Sequence, residues 1–327
     1  MQFGDHFIML LLSLALACNG CISCQPSLPN TNNNISEPSN EPSDENEDSG
    51  DTGDTGEELL PPCPIMEVEP NNNYDEAQIV LMENWICGDA ADEFDLDNYG
   101  FVFPEDEGWI KLWGRGQDIG STADLILTLD QGTNTAVSVS QLGTTDPMII
   151  APVTNDDVLY ATIYDQYGGV GDQNFYELLI SQIKPPVEYN SSEDDEYGEN
   201  NSPAGAFEVA DGSRVFGQMS TNTDTDWYRI TLPEGELTRI TLTVEAFAYG
   251  SPLDPIIYLY PAEAFETSAV DYVAVRNNFP GDANNLDPRL TYTTNEGGDW
   301  AILVKSNVTG GSDFHWYVLD VLVENIE

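Results

Sequence analysis

The chain has 327 residues and carries nine Lys and Arg against 58 Asp and Glu, which gives a formal net charge of −49 at pH 7. The length indicates about two domains, each long enough to bury a core. The negative charge repels nucleic acid and anionic headgroups, so it excludes DNA and RNA as partners. The same charge favours divalent cations wherever carboxylates cluster.

Residues 1–17 are predicted to be a signal peptide. The apolar run at 7–17 is eleven residues long, too short to span a bilayer and typical of a signal-peptide h-region. The end of this run, LALAC, resembles the lipobox of bacterial lipoproteins, which predicts acylation of Cys18 and a lipid anchor in the membrane. Because Ala15 stands where leucine is usual and no Lys or Arg precedes Lys111, a cleaved peptide without lipid is the alternative.

Residues 18–61 are predicted to be a disordered acidic tether. Residues 36–58 contain ten acids and no base, and Asn, Ser, Pro and Gly fill most of the other positions. Such a segment cannot offset its conformational entropy by burying apolar surface, and its charges repel one another. We therefore expect an extended spacer between the membrane and the globular part.

Beyond Cys18, the cysteines fall into two pairs. Cys21 and Cys24 have CxxC spacing, which is weak evidence for a metal without a second ligand pair. Export permits disulfides, so we predict that Cys63 and Cys87 are joined at the start of the globular part. Two free thiols are the alternative.

From residue 64 onward, short β-patterned runs alternate with turns rich in Gly, Asn, Asp and Pro, without a helix-length amphipathic stretch. The clearest strands are predicted at 125–129, 158–164, 176–180, 239–244, 256–260, 300–304 and 317–323. Many short strands at this spacing are typical of an all-β sandwich or barrel.

The globular part contains an internal repeat. Four landmarks occur twice in the same order: EPNNNYDEAQIV (69–80) and ENNSPAGAFEV (199–209); DLDNYGFVF (95–103) and DTDWYRITL (224–232); DLILTLDQG (124–132) and DPIIYLYPA (254–262); LYATIY with YELLI (159–164, 176–180) and DWAILV with YVLDV (299–304, 317–321). Four ordered matches indicate two copies of one module.

These landmarks resemble the bacterial pre-peptidase C-terminal domain, a family related to the collagen-binding modules of secreted collagenases. The family pattern runs E-P-N-(N/D), D-x-D-x-(Y/F), D-x-x-(I/L)-x-(L/V), an aromatic strand and a closing Y-x-L-x-V. The resemblance implies two jelly-roll-like antiparallel β-sandwich domains, at 62–183 and 196–327, joined by a linker at 184–195. The second copy lacks the proline of the first motif.

The resemblance also implies calcium sites, because family members bind calcium between the acidic N-terminal segment and the D-x-D loop. Calcium takes about six to eight oxygen ligands, so they must converge from separate segments. The predicted ligands of the first copy are Glu67, Glu69, Asn71, Asn72, Asp95 and Asp97, with Asp92 nearby. Those of the second copy are Asp224 and Asp226, with Glu196, Asn200 and Asn201 as further candidates.

The second calcium site is expected to be weaker or absent, because Gly198 stands where Glu69 would align. The alternative for both copies is that these residues only form turns, for which Asn and Asp supply local hydrogen bonds.

The strand GWIKLW (108–113) is the predicted ligand-binding surface. If Ile110 and Leu112 face the core, then Trp109, Lys111 and Trp113 face solvent and suit stacking on sugar rings or on a protein. Tryptophans packed under a loop are the alternative. The remaining candidates, Trp227, Trp300 and Trp316, are predicted to lie in or near the core.

The sequence contains few residues or motifs that indicate catalysis. His6 lies in the predicted signal peptide, which leaves His315, and no hydrolase, zinc-protease or nucleotide-binding motif is present. We therefore expect a non-enzymatic bacterial protein, exported to the cell envelope, that binds extracellular protein or polysaccharide, with calcium as cofactor. A structural envelope protein without an external ligand is the main alternative, and a hydrolase with a carboxylate pair is a further one.

Overall fold

The computed structural model describes residues 63–326 except 91–94, 141–145, 170, 172, 194–199, 268–269, 283–284 and 309. The predicted signal peptide, Cys18 and the predicted tether lie outside the described residues. The described chain is all-β, as predicted, and contains no α-helix. Within these ranges, no helix is long and apolar enough to cross a membrane.

The first sandwich consists of two sheets that share one apolar core. Its strands are β1 (Ile65–Met66), β2 (Gln78–Ile79), β3 (Trp85–Asp89), β4 (Asp97–Phe101), β5 (Glu107–Arg115), β6 (Leu125–Gln131), β7 (Asn134–Val137), β8 (Val139–Ser140), β9 (Pro147–Thr154), β10 (Leu159–Asp165) and β11 (Phe175–Ile183). One sheet has the order β1-β3-β11-β5-β9-β8, and the other has the order β2-β4-β10-β6-β7.

The second sandwich repeats this arrangement. Its strands are β12 (Ser191–Ser192), β13 (Phe207–Val209), β14 (Arg214–Gln218), β15 (Thr225–Leu232), β16 (Thr238–Glu245), β17 (Pro255–Tyr260), β18 (Ala274–Arg276), β19 (Arg289–Thr294), β20 (Gly298–Ser306) and β21 (Trp316–Asn325). The sheet orders, β12-β14-β21-β16-β19 and β13-β15-β20-β17-β18, match those of the first sandwich strand by strand, apart from β8.

Alternation along the strands builds the two cores. In β6, for example, Leu125, Leu127 and Leu129 are buried, while the residues between them are half-buried. Burying each such side chain contributes about 1.5–3 kcal/mol. Short 3₁₀ turns connect strands at Gln117–Ile119, Pro203–Gly205, Phe247–Tyr249 and Ala262–Phe265.

Each sandwich begins with a segment that crosses from one sheet to the other. β1 pairs in parallel with β3 at the edge of one sheet, and β2 pairs in parallel with β4 at the edge of the other. In the same way, β12 pairs in parallel with β14, and β13 pairs in parallel with β15. The other strand pairs of the described residues, such as β5 with β11, are antiparallel. The crossing places residues 67–71 beside the start of β4. In the first copy, a disulfide between Cys63 and Cys87 ties this segment to β3.

The two sandwiches meet in an apolar cluster that belongs to neither core. Trp109 packs edge-on against Trp316 with ring centroids 4.9 Å apart, and both are buried. Trp316 Nε1 donates a hydrogen bond of 2.6 Å to Ile150 O, and Ile150 N donates one of 2.7 Å to Gly250 O. Both sandwiches therefore supply apolar and backbone groups to a specific junction.

The junction corrects one sequence prediction. Ile110 and Leu112 face the core, so Trp109, Lys111 and Trp113 lie on the opposite face of β5. The prediction that Trp109 faces solvent is nevertheless wrong, because the second sandwich covers it and leaves it 9% exposed. Trp113, at the other end of the motif, remains half-buried.

The predicted linker, 184–195, is packed in its described part. Val187 is buried in the junction cluster, and Tyr189 packs on Phe216 with ring centroids 5.1 Å apart. β12 then pairs with β14. Because these residues already contact the second sandwich, that sandwich begins inside the segment predicted to be a linker.

Replacing Trp109 is expected to destabilise the protein much more than replacing Trp113. Trp109→Ala leaves a cavity in the junction and should lower the free energy of unfolding by about 3–5 kcal/mol. Trp113→Ala removes a half-buried ring and serves as the matched control. Denaturant unfolding followed by fluorescence measures both values, and equal losses for the two variants would contradict the described junction.

Candidate functional site

Three carboxylates converge where the first crossing segment passes the start of β4. Glu67 follows β1, Glu69 lies two residues further on, and Asp97 is the first residue of β4. One oxygen from each lies within 4.8 Å of the others. This carboxylate cluster (Glu67, Glu69 and Asp97) brings together three of the residues predicted as calcium ligands.

Asn71 completes the cluster from the same segment. Its backbone N–H donates to Glu69 Oε2 at 3.0 Å, and its side-chain Nδ2 donates to Glu67 Oε1 at 3.2 Å. Asn98 Nδ2 donates to the Asn71 carbonyl oxygen at 2.8 Å. These bonds fix the amide, whose Oδ1 is fully buried and has no hydrogen-bond partner.

Asp97 is fully buried under two tyrosines. Tyr176 Oη donates to Asp97 Oδ2 at 2.7 Å and lies 2.6 Å from Tyr99 Oη. Asp97 Oδ1 is buried, and no N–H or O–H donor of the described residues reaches it. Gly88 is required here, because a Cβ at this position would overlap Tyr176 Oη and Glu67 Oε2. Two buried acceptors, one from Asn71 and one from Asp97, therefore remain unsatisfied within the same site.

Electrostatics disfavour three negative charges in this space. Burial, and next a hydrogen bond with the Glu67 carboxyl group and its charge, raise the pKa of Asp97 to about 10. Burial and a hydrogen bond with Glu67 also raise the pKa of Glu69. A proton or a cation must therefore balance the cluster, and a cation would satisfy the two buried oxygens as well.

The other predicted ligands of the first copy lie around the cluster. Asp95 is buried and raises the pKa of Asp97 and Glu69 through its charge. Asn72 is exposed, and its Oδ1 accepts a hydrogen bond from Leu96 N at 2.9 Å, which is a turn-forming contact. Asp92 lies outside the described residues.

Among the described residues, the second copy has a related cluster with two acids, Glu193 and Asp226. Glu193, which the sequence reasoning missed, accepts hydrogen bonds from Asn200 Nδ2 at 2.8 Å and from Tyr228 Oη at 2.6 Å. Asp226 is fully buried and accepts a hydrogen bond from Tyr317 Oη. Glu193 thus takes the place of Glu67 in the second copy, and the candidate Glu196 lies outside the described residues.

Asp224 has backbone partners for both carboxylate oxygens. Its Oδ2 accepts from Ser220 N at 2.7 Å, and its Oδ1 accepts from Thr225 N at 2.9 Å. Asn201 Oδ1 also accepts from Thr225 N at 2.8 Å. These residues shape the loop before β15, and only Asp226 of the predicted second pair points into the tyrosine-lined interior.

A separate group of aromatic and cationic residues lies on the outer face of β3 and β5. Lys111 Nζ lies 4.5 Å from the ring centroid of Trp113, and the Arg115 guanidinium carbon lies 5.5 Å from it. Trp85 packs against Trp113 with centroids 5.6 Å apart. This tryptophan–lysine face (Trp85, Lys111, Trp113 and Arg115) keeps two of the three predicted ligand-binding residues and gains Trp85, which the period of β5 alone does not reveal.

Comparisons with known proteins give a weak likeness only. No family model and no curated protein matches the chain. The pre-peptidase C-terminal domain of a collagenase from Bacillus anthracis is 18% identical over 38% of this chain and 100% of that one, with a TM-score of 0.27. Tandem CBM51 modules of a family 98 glycoside hydrolase from Streptococcus pneumoniae are 11% identical over 76% of this chain and 85% of that one, with a TM-score of 0.25. A CBM22 tandem domain from Paenibacillus barcinonensis is 12% identical, covers 70% and 82%, and has a TM-score of 0.24. Such values assign neither a family nor a ligand.

His315 is a buried residue at the junction rather than part of either carboxylate cluster. Its Nδ1 lies 3.0 Å from Ser312 Oγ, which donates to the carbonyl oxygen of Thr135 in the first sandwich at 3.1 Å. Burial lowers the pKa of His315 to about 4. The histidine is therefore neutral at pH 7 and linked by hydrogen bonds across the junction.

The His315 imidazole is expected to stay neutral in the folded protein down to about pH 4. Because its pKa falls below the unfolded value of about 6.5, its contribution to stability is complete above pH 6.5 and is lost as the pH drops towards 4. An NMR titration of the imidazole protons, assigned with His315→Gln, measures the midpoint. A midpoint near pH 6.5 would contradict the buried environment.

Proposed function

We propose that the chain is a non-enzymatic bacterial surface protein, exported and lipid-anchored through Cys18, that binds extracellular protein or polysaccharide and holds calcium in its first sandwich. The observation that carries the calcium part of the proposal is the pair of buried oxygens without a donor beside the carboxylate cluster. Neither Asn71 Oδ1 nor Asp97 Oδ1 accepts a hydrogen bond from an N–H or O–H donor of the described residues, in a site with three converging acids. Burying such acceptors costs free energy unless something binds them.

The donor set fits calcium better than other common cations. Glu67, Glu69, Asn71 and Asp97 supply only carboxylate and amide oxygens, which are hard ligands, and no described thiol or imidazole joins them. Glu69 is exposed, so water can complete a flexible coordination sphere, whereas magnesium requires a stricter octahedron. A calcium ion here would join the crossing segment to β4 and fix both edges of the sandwich.

The binding role is supported by surfaces outside the cores. The tryptophan–lysine face presents half-buried rings and a cation on the first sandwich. The second sandwich carries Tyr258, Tyr260 and Tyr272 as another ring cluster, with Tyr272 49% exposed. Aromatic side chains that are open on one side suit stacking on sugar rings or packing on a protein.

Calcium is expected to raise the melting temperature through Asp97. A ligand at about 100 times its Kd stabilises the folded state by about 2.7 kcal/mol, which corresponds to about 5–10 °C for a protein of this size. Asp97→Asn should lose this shift but keep its melting temperature in EDTA, because the raised pKa makes Asp97 neutral at pH 7 without an ion. Differential scanning calorimetry at 1 mM calcium (about 100 times an assumed 10 µM Kd) or in EDTA measures both values.

Two controls separate a specific site from general screening of the negative charge. Asp226→Asn changes the matching position of the second sandwich and should keep most of the shift, and magnesium at the same concentration should give a smaller one. The calcium proposal fails if the wild-type protein shows no shift, or if Asp97→Asn shows the wild-type shift.

The anchor is expected to depend on Cys18. Cells given radiolabelled palmitate should label the wild-type protein, and Cys18→Ala should remove the label because it removes the acylated thiol. Immunoprecipitation and autoradiography measure incorporation. An unlabelled wild-type protein of processed length would instead support a cleaved signal peptide without lipid.

A further inference from the structure

The first sandwich concentrates its positive charge on the tryptophan–lysine face. Between residues 62 and 183 the sequence has two basic residues, Lys111 and Arg115. Their four-residue spacing on β5 puts both on its outer face, where both lie over Trp113. In a chain with a net charge of −49, this is a local site of the opposite sign.

The two cations differ in their partners. Arg115 forms an ion pair of 2.9 Å with Glu177, which neutralises its charge and holds its guanidinium. Lys111 is half-buried, and no described carboxylate lies within 4.0 Å of its amine. The group of Lys111, Arg115 and Glu177 therefore has one net positive charge, which a single carboxylate of a ligand would neutralise.

The aromatic part of the face has an open side. Leu179 in β11 is in register with Trp85 in β3 on one side and with Trp113 in β5 on the other, so the two tryptophans flank it. Their rings are inclined by 56° and both are half-buried. The face thus offers apolar ring surface with the Lys111 amine next to it.

The internal repeat shows that the fold does not require this face. β21 of the second sandwich corresponds to β11 of the first. The registers of these two strands with β5 and β16 make Thr243 the counterpart of Trp113 and Thr241 the counterpart of Lys111. Trp85 corresponds to Arg214 in the same way. The shared framework therefore forms without the rings of Trp85 and Trp113 and without Lys111: threonines stand at two of these positions, and at the third stands Arg214, which pairs with Glu245 and Asp320.

We infer that the tryptophan–lysine face binds a uronic acid residue of an acidic polysaccharide; this inference rests on the proposed binding function and names its ligand class. The sugar ring would stack on the tryptophans, and its carboxylate would accept hydrogen bonds from Lys111 Nζ and from the remaining N–H groups of Arg115. A neutral sugar would leave the Lys111 charge without a partner. A dianionic phosphate would carry more negative charge than this single net positive charge neutralises, and the Glu177 carboxylate would repel it.

The test uses the full chain and titrates it by calorimetry with trigalacturonate and with its trimethyl ester, which is the same sugar without charge. We expect binding of the acid, and binding of the ester at least about tenfold weaker, because the ester cannot pair with the Lys111 ammonium. Lys111→Thr should weaken binding of the acid at least about tenfold towards the value for the ester, and Trp113→Thr should weaken both ligands. Both variants use residues that the second sandwich has at these positions.

The matched control is Lys305→Gln, which removes a cation lying 5.0 Å over Tyr258 in the second sandwich and should leave binding unchanged. Equal affinity for acid and ester, unchanged binding by Lys111→Thr, or no binding of trigalacturonate would each overturn the inference. Binding of neutral glycans or collagen peptides in such a case would preserve the proposed function. If none of these probes binds and calcium does not raise the melting temperature, both the inference and the proposed function would be wrong.

Discussion

The burial of Asp97 is the constraint on which the first sandwich's site depends. A fully buried carboxylate has to be neutralised by a proton or by a cation. Tyr176 donates to one of its oxygens, and the crossing segment brings Glu67 and Glu69 beside it, with Asn71 bonded to Glu67. The parallel strands β1 and β2 hold this segment at the edges of both sheets, so sheet pairing and the charge of the site are linked.

The two copies show how one framework supports sites of different charge. Both retain a buried aspartate, a glycine, an asparagine and two tyrosines, and a Cβ at Gly217 would meet Glu193 and Tyr317 just as one at Gly88 would meet Glu67 and Tyr176. In the second copy, each tyrosine hydroxyl donates to one carboxylate. Among the described residues, two acids, Glu193 and Asp226, face this interior, against the three of the first copy, while Asn200 Oδ1, like Asn71 Oδ1, accepts no hydrogen bond.

The sequence predicted the fold well because alternation along each strand and the repeated landmarks are local signals. Of the predicted ligands, Asp97 and Asp226 lie buried beside the tyrosines, whereas Glu193 was not among the predicted residues. Glu67 precedes its asparagine by four residues and Glu193 precedes Asn200 by seven, so an insertion hides the match. The covering of Trp109 depends on packing between two sandwiches, which the period of one strand does not reveal. The pairing of Trp85 with Trp113 required the register across β11.

The most direct test of calcium in the first copy is a crystal structure of the protein grown with calcium, with data collected where calcium scatters anomalously. We expect an anomalous peak about 2.3–2.6 Å from oxygens of Glu67, Glu69, Asn71 and Asp97, with a weaker peak or none between Glu193 and Asp226. An absent peak at the first cluster, with calcium in the crystal, would contradict calcium binding there.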